Sequence, residues 1–195
     1  MLNDPGFYLS WVTVVMFSVC CHEAAHAYVA AREGDDTAAV NGFLTLNPLR
    51  VMGLYSIVFL ALFGIAWGAV PVQPHRFRRR YSHLLVALAG PGTNMLLIAI
   101  SAVGYAFLSR QLPQEMSFML EIGIAANAFL LLFNLLPVPM LDGWELYRTI
   151  FPALRKVSPE QAQQWGFGIL LVILLTGMHT YIWRAAMSLA TVLTF

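Results

Sequence analysis

Apolar runs of helical length alternate along this chain with short polar interruptions. Residues 7–31, FYLSWVTVVMFSVCCHEAAHAYVAA, make the first, and 82–109, 116–136 and 164–193 make three more. Each reaches the roughly 20 residues with which a helix crosses a bilayer. A fifth run, 51–70, is interrupted by Gly53, Gly64 and Gly68; its twenty residues suit a span or a re-entrant hairpin. The polar stop Arg32-Glu33-Gly34-Asp35-Asp36 ends the first helix, with Gly34 placed as its C-cap. In TAAVNGFLTL (37–46), Asn41-Gly42 lies between β-prone flanks and predicts two short strands joined by a tight turn. Gly90-Pro91-Gly92 inside 82–109 is tolerated in a membrane helix, where neighbours re-satisfy the freed backbone. Pro137 and Pro139 end 116–136, and a polar loop with Arg148, Arg155 and Lys156 precedes the last helix. The expected fold is an all-α polytopic membrane protein with about four to five transmembrane helices. It adds a short β-hairpin at 37–46 and a possible re-entrant segment at 51–70. One domain covers 1–195, with its core at 7–150 and an accessory C-terminal helix at 164–193.

Composition agrees with burial in lipid. Of 195 residues, 59% are hydrophobic and 11% charged, against about 25% charged in soluble domains. A net charge of +1, with no basic stripe carrying interleaved aromatics, excludes a nucleic-acid partner. Cys20 and Cys21 are adjacent within the first helix, so they read as small packing residues rather than a disulfide framework or ligands. The N-terminus has no basic n-region and the first apolar run carries the candidate chemistry, so that run is expected to stay in the mature protein.

That chemistry is His22-Glu23-x-x-His26. Between Asp4 and Arg32 these are the residues that carry charge near neutral pH, and ionisable groups in hydrocarbon are costly enough to mark function. At about 100° per residue, the two imidazoles lie roughly 40° apart and one turn along a single helical face. Two nitrogens so placed can share one Zn²⁺, while Glu23 reaches a water on it. Two histidines and one carboxylate leave a fourth tetrahedral position open, the arrangement of a catalytic zinc site. Candidates for the carboxylate are Asp142, Glu145 and Glu121. Asp142 is favoured because Pro137, Pro139 and Gly143 fix its loop, although Asp142 could instead cap the helix that starts near Trp144.

If 51–70 re-enters, residues 32–81 stay on one face and Asp142 emerges on that same face. Arg32, Arg50, Arg76, Arg78, Arg79, Arg80, Arg148, Arg155 and Lys156 then lie together, apart from Arg110 and Arg184. The positive-inside rule makes their face cytoplasmic. A third ligand must sit at the depth of the histidines, and the same arrangement supplies it.

HEAAH in an apolar helix, followed by LTLNP, PVQP, AGPGTN and NLLPVPMLDG, resembles the site-2 protease family of intramembrane zinc metalloproteases, in its compact branch without PDZ or CBS domains. The resemblance covers about residues 10–150. It implies a multi-pass protein of the cell membrane that cuts a peptide bond in or near a transmembrane segment of a protein substrate. It further implies one Zn²⁺ per chain on His22, His26 and Asp142, Glu23 as catalytic base, and Asn94 and Asn134 holding substrate backbone or an oxyanion. Asn94 read by itself, an amide in hydrocarbon that needs a partner, instead favours a structural interhelical hydrogen bond. Gly92-Thr93 stands where Leu-Ala is common and Trp144 where a second glycine is frequent; neither is a ligand position. A helical substrate must unwind before its carbonyls can be reached, and an edge of 37–46 or of the PVQP strip could pair with it. The alternative is a non-proteolytic membrane protein of the same fold that binds metal or transmembrane segments. Intact Glu23 argues against it. A metal transporter would spread ionisable residues along a path, whereas here they collect at one depth.

Overall fold

A computed structural model describes residues 5–194. Three long helices form its centre: α1 (Pro5–Arg32), α5 (Ser82–Leu108) and α6 (Gln114–Asn134). Each is long and apolar enough to cross a membrane, and each packs on the other two. Trp11, Val15 and Val19 of α1 bury against Ile122 and Ala126 of α6. Between α1 and α5 come three shorter helices, α2 (Thr37–Val40), α3 (Pro48–Val51) and α4 (Gly53–Phe63). After α6, α7 (Gly143–Ile150), a 3₁₀ turn at Pro152–Lys156, α8 (Pro159–Leu175) and α9 (His179–Thr194) complete the fold.

The apolar run 51–70 turns back. Its helix α4 has 11 residues, about 16 Å at 1.5 Å per residue, against a hydrocarbon core of about 30 Å. Gly64 ends it with φ +72°, and the chain returns extended until the Ala69 amide donates to the Val51 carbonyl at 3.1 Å. Entry and exit therefore sit side by side. The hairpin is pinned to α1 by Tyr8, whose hydroxyl donates to the Leu60 carbonyl at 3.1 Å, and by Trp11, whose indole N–H donates to the Gly64 carbonyl at 2.9 Å.

Two expectations are corrected. Among the described residues 37–46 forms no strand: 37–40 is helical, and Asn41-Gly42 closes that helix. The Phe43 amide donates to Ala38 O at 2.8 Å and the Gly42 amide to Ala39 O at 3.0 Å, the paired bonds of a Schellman cap. Gly42 has φ +76°, a conformation that a tight hairpin turn and a helix C-cap both require, so the dipeptide suits either. The second correction concerns 164–193, which is two helices bent by 72° rather than one. Gly177, at φ +73°, sits in the break. With the bent pair taken as one crossing, the fold has up to four spans.

The polar end of α1 is strapped to the strip that leads into α5. Glu33 accepts from the Ser82 hydroxyl at 2.6 Å, and its carbonyl accepts from the Arg78 amide at 2.9 Å. Asp35, fully buried, accepts from the Thr37 hydroxyl and amide and from the Gln73 amide, with Arg76 Nη1 3.8 Å away. Burial works against its charge, but these donors and Arg76 outweigh it and hold the carboxyl below its ordinary value.

Candidate active site

Helix α1 carries His22, Glu23 and His26, all buried at 6%, 9% and 6% exposure. Their helical spacing brings the two Nε2 atoms to 3.0 Å. Asp142, just before α7, meets them from the other side of the fold. Its Oδ2 lies 3.0 Å from His22 Nε2 and its Oδ1 3.2 Å from His26 Nε2. The loop that delivers it is tightly shaped. Met140 takes φ +80°, and a Cβ on Gly143 would fall 2.6 Å from the Leu135 and Leu136 carbonyl oxygens. Asp142 makes no side-chain capping bond to α7, so the capping alternative is not realised. Glu145 pairs with Arg148 at 2.8 Å, and Glu121 lies elsewhere, near Tyr105. Of the three candidate carboxylates, the fold brings only Asp142 to the histidines.

The atoms at this meeting point fit a cation. His26 Nδ1 lies 2.7 Å from the Val86 carbonyl; a carbonyl only accepts, so the ring's proton is on Nδ1 and Nε2 presents a lone pair. Asp142 Oδ2 is buried without a hydrogen-bond partner, a costly state unless a positive charge faces it. Among the described residues His22, His26 and Asp142 form one cluster whose ligand atoms lie within 4.8 Å of one another. Space is kept for it by Gly90 of α5, where a Cβ would collide with Nε2 of both histidines. Glu23 is covered by the extended return after α4: a Cβ on Gly68 would come within 2.9 Å of its Oε1.

The two asparagines are placed differently. Asn94, fully buried, has its Oδ1 2.7 Å from His22 Nδ1 and donates from Nδ2 to Asn127 Oδ1 at 2.9 Å. Asn134 ends α6, half-buried, three residues before the proline loop. The sequence reading does not single out Asn127 or Ser18, and it gives Gly68 and Gly90 no part in the site. For Asn127 a signal was available: an amide in an otherwise apolar helix needs a partner.

Over 185 residues the chain is 34% identical to "Putative zinc metalloprotease YwhC" of Bacillus subtilis (strain 168), a match covering 90% of this chain and 83% of that protein. It is 37% identical over 192 residues to "Putative zinc metalloprotease Rip2" of Mycolicibacterium smegmatis, covering 90% and 70%. Rip2 of Mycobacterium tuberculosis (strain H37Rv) is 35% identical over 188 residues, covering 89% and 70%. The chain belongs to peptidase family M50. The family's own model, Peptidase family M50, matches residues 109–177, which run from the end of α5 to the α8–α9 break and include Asn134 and Asp142. No solved structure matches the chain. The M50 assignment agrees with the site-2 protease resemblance of the sequence motifs, and the apolar helices fit a multi-pass membrane protein.

Proposed function

We propose that this M50 chain is an intramembrane zinc metalloendopeptidase that cuts a peptide bond in or near a membrane-spanning segment of a protein substrate. The observation that carries this reading is the convergence of His22 Nε2, His26 Nε2 and a hydrogen-bond-orphaned Asp142 oxygen beside a buried glutamate. His22, His26 and Asp142 are the zinc ligands, one ion per chain. Bound there, zinc supplies a Lewis acid that polarises the scissile carbonyl and makes water a nucleophile near neutral pH. Glu23 takes the proton of the attacking water and delivers it to the leaving amine, a role that typically contributes 10²–10⁴-fold. The extended run after Gly64, whose Gly68 lies over Glu23, is the edge along which an unwound substrate strand pairs. Asn134, at the end of α6 and three residues before the proline loop that carries Asp142, is the amide assigned to hold substrate backbone or an oxyanion.

The returning hairpin keeps Arg32, Arg50, Arg76, Arg78, Arg79 and Arg80 on the side from which Asp142 and the Arg148–Lys156 loop emerge. Arg110 lies at the turn on the opposite side. By the positive-inside rule the catalytic end faces the cytoplasm of a cell membrane.

The test compares wild type with Glu23→Gln, both purified, on a single-span substrate. Expected is cleavage by wild type and its loss in the variant with zinc content unchanged. Equal cleavage by both removes Glu23 as base, and loss of zinc with loss of cleavage makes Glu23 a structural part of the cage.

A further inference from the structure

Behind His22 a line of buried side chains crosses three helices. His22 Nδ1 meets Asn94 Oδ1 at 2.7 Å, Asn94 Nδ2 meets Asn127 Oδ1 at 2.9 Å, and Asn127 Nδ2 meets both Ser18 Oγ at 3.0 Å and the Gly123 carbonyl at 2.8 Å. We infer that Asn127, anchored on the Gly123 carbonyl, is a positioning residue that holds the His22 proton on Nδ1 and so keeps Nε2 open for the metal. The inference rests on reading His22 as a metal ligand.

The direction of the line follows from its far end. A backbone carbonyl has no proton to give, so the Asn127 amide must turn Nδ2 toward Gly123. Its second Nδ2 proton then goes to Ser18, and its Oδ1 is left facing Asn94. Asn94 must present Nδ2 to that oxygen, which turns its own Oδ1 onto His22. Only an N–H can satisfy that oxygen, and a neutral imidazole has one, so Nε2 retains its lone pair. Reversing the order would set the Asn127 oxygen against the Gly123 oxygen. With Ser18, Asn94 and Asn127 exposed by 1%, 0% and 2%, water is excluded from relieving that repulsion. His26 achieves the same proton placement directly, through the Val86 carbonyl. For His22 two amides carry it from α6 through α5 to α1. Gly123 also sets the spacing: a Cβ there would fall 2.6 Å from Ser101 Oγ of α5, so its bare backbone lets α5 and α6 approach.

The readouts are the tautomer of His22 in the metal-free full chain, by ¹⁵N–¹H correlation on histidine-labelled protein in nanodiscs, and zinc affinity by competition with a chromogenic chelator. Wild type is expected to show Nδ1–H at His22. Asn127→Leu, which frees the Asn94 amide to rotate, should mix the tautomers and weaken zinc by about 10–100-fold, the usual cost of losing an outer partner of a ligand. Ser18→Ala keeps the Gly123 anchor and should retain Nδ1–H, with affinity changed by less than about threefold. A purely structural role would lower affinity in step with stability in both variants and leave the tautomer unmoved. Nε2–H in the wild type overturns the inference whether or not Asn127→Leu folds, and so does unchanged tautomer and affinity in that variant. Zinc binding with Nε2–H refutes this inference while sparing the proposed function; Nδ1–H without any zinc binding does the reverse.

Discussion

Glu23 and Glu121 both lie inside apolar helices, away from the helix ends, and their surroundings differ in kind. Glu23 of α1 is buried beside two imidazoles and the Asp142 carboxylate, under the Gly68 backbone. Glu121 of α6 lines a crevice of about 270 Å³ toward the other end of the bundle, among Phe7, Trp11, Phe118 and Trp183. There the Tyr105 hydroxyl is its hydrogen-bonding neighbour. An acid in hydrocarbon invites a functional reading wherever it occurs, yet the neighbours decide between the two. Around Glu23 several acceptors point at one another and call for a cation. Around Glu121 the wall is a mixture of aromatic and aliphatic side chains with the hydroxyls of Tyr105, Thr191 and Thr194, and among the described residues no second metal-ligating side chain faces it.

The contrast can be broken most decisively at the metal. Asp142→Asn should weaken zinc by more than the roughly 10–100-fold typical of outer partners, because the substitution removes a proposed direct ligand. Glu121→Gln should leave zinc affinity and cleavage within about twofold, since Gln can still bond the Tyr105 hydroxyl. Full zinc occupancy in Asp142→Asn, or a dead Glu121→Gln enzyme, would collapse the distinction between the two ends. Next in size, Gly90→Ala puts a methyl group where the two Nε2 atoms face the cage. Zinc affinity should fall by about 10–100-fold, measured by chelator competition. Gly68→Ala should act on Glu23 instead. The added Cβ must push the carboxyl aside, so cleavage should drop by about tenfold or more with zinc retained, which a rate measurement at full zinc loading would check.

The smallest effect belongs to the strap at the polar end of α1. Asp35→Asn turns an acceptor for the Gln73 amide into a competing donor and should destabilise the fold by about 1–3 kcal/mol, read as a lower thermal midpoint. The pH dependence has a definite sign. Because the folded pKa of Asp35 is lowered, its contribution is complete above the unfolded value of about 3.9 and is lost as pH falls through the lower folded value. Wild type should therefore lose this increment on acidification below about pH 4, and Asp35→Asn should show a flatter profile there.

What could be read from the sequence was what is local. His22, Glu23 and His26 are one helical turn of information, and Asp142 is announced by the prolines and glycine that shape its loop. The long helices needed only their apolar length. The readings that went astray involve a glycine whose one conformation serves two structures. Gly42 fits a hairpin as well as a helix cap, and the cap prevails because Ala38 and Ala39 supply its carbonyls. Gly177 falls inside the run 164–193 that reads as one helix, yet its positive φ marks the 72° break. Asn94 illustrates a different limit. Its residue type and helix were evident, but its partners on α1 and α6 are distant in sequence, and they occupy both ends of its amide with protein rather than substrate.

The order in which the chain is made has a bearing on its safety. His22, Glu23 and His26 leave the ribosome first, and Gly90, Asn94, Asn127 and Asp142 follow in turn. A nascent chain therefore carries the proposed base and two nitrogens long before Asp142 can meet them. On the proposed reading, in which the substrate is an apolar segment like this chain's own helices, the cutting centre cannot assemble until Asp142 has been inserted.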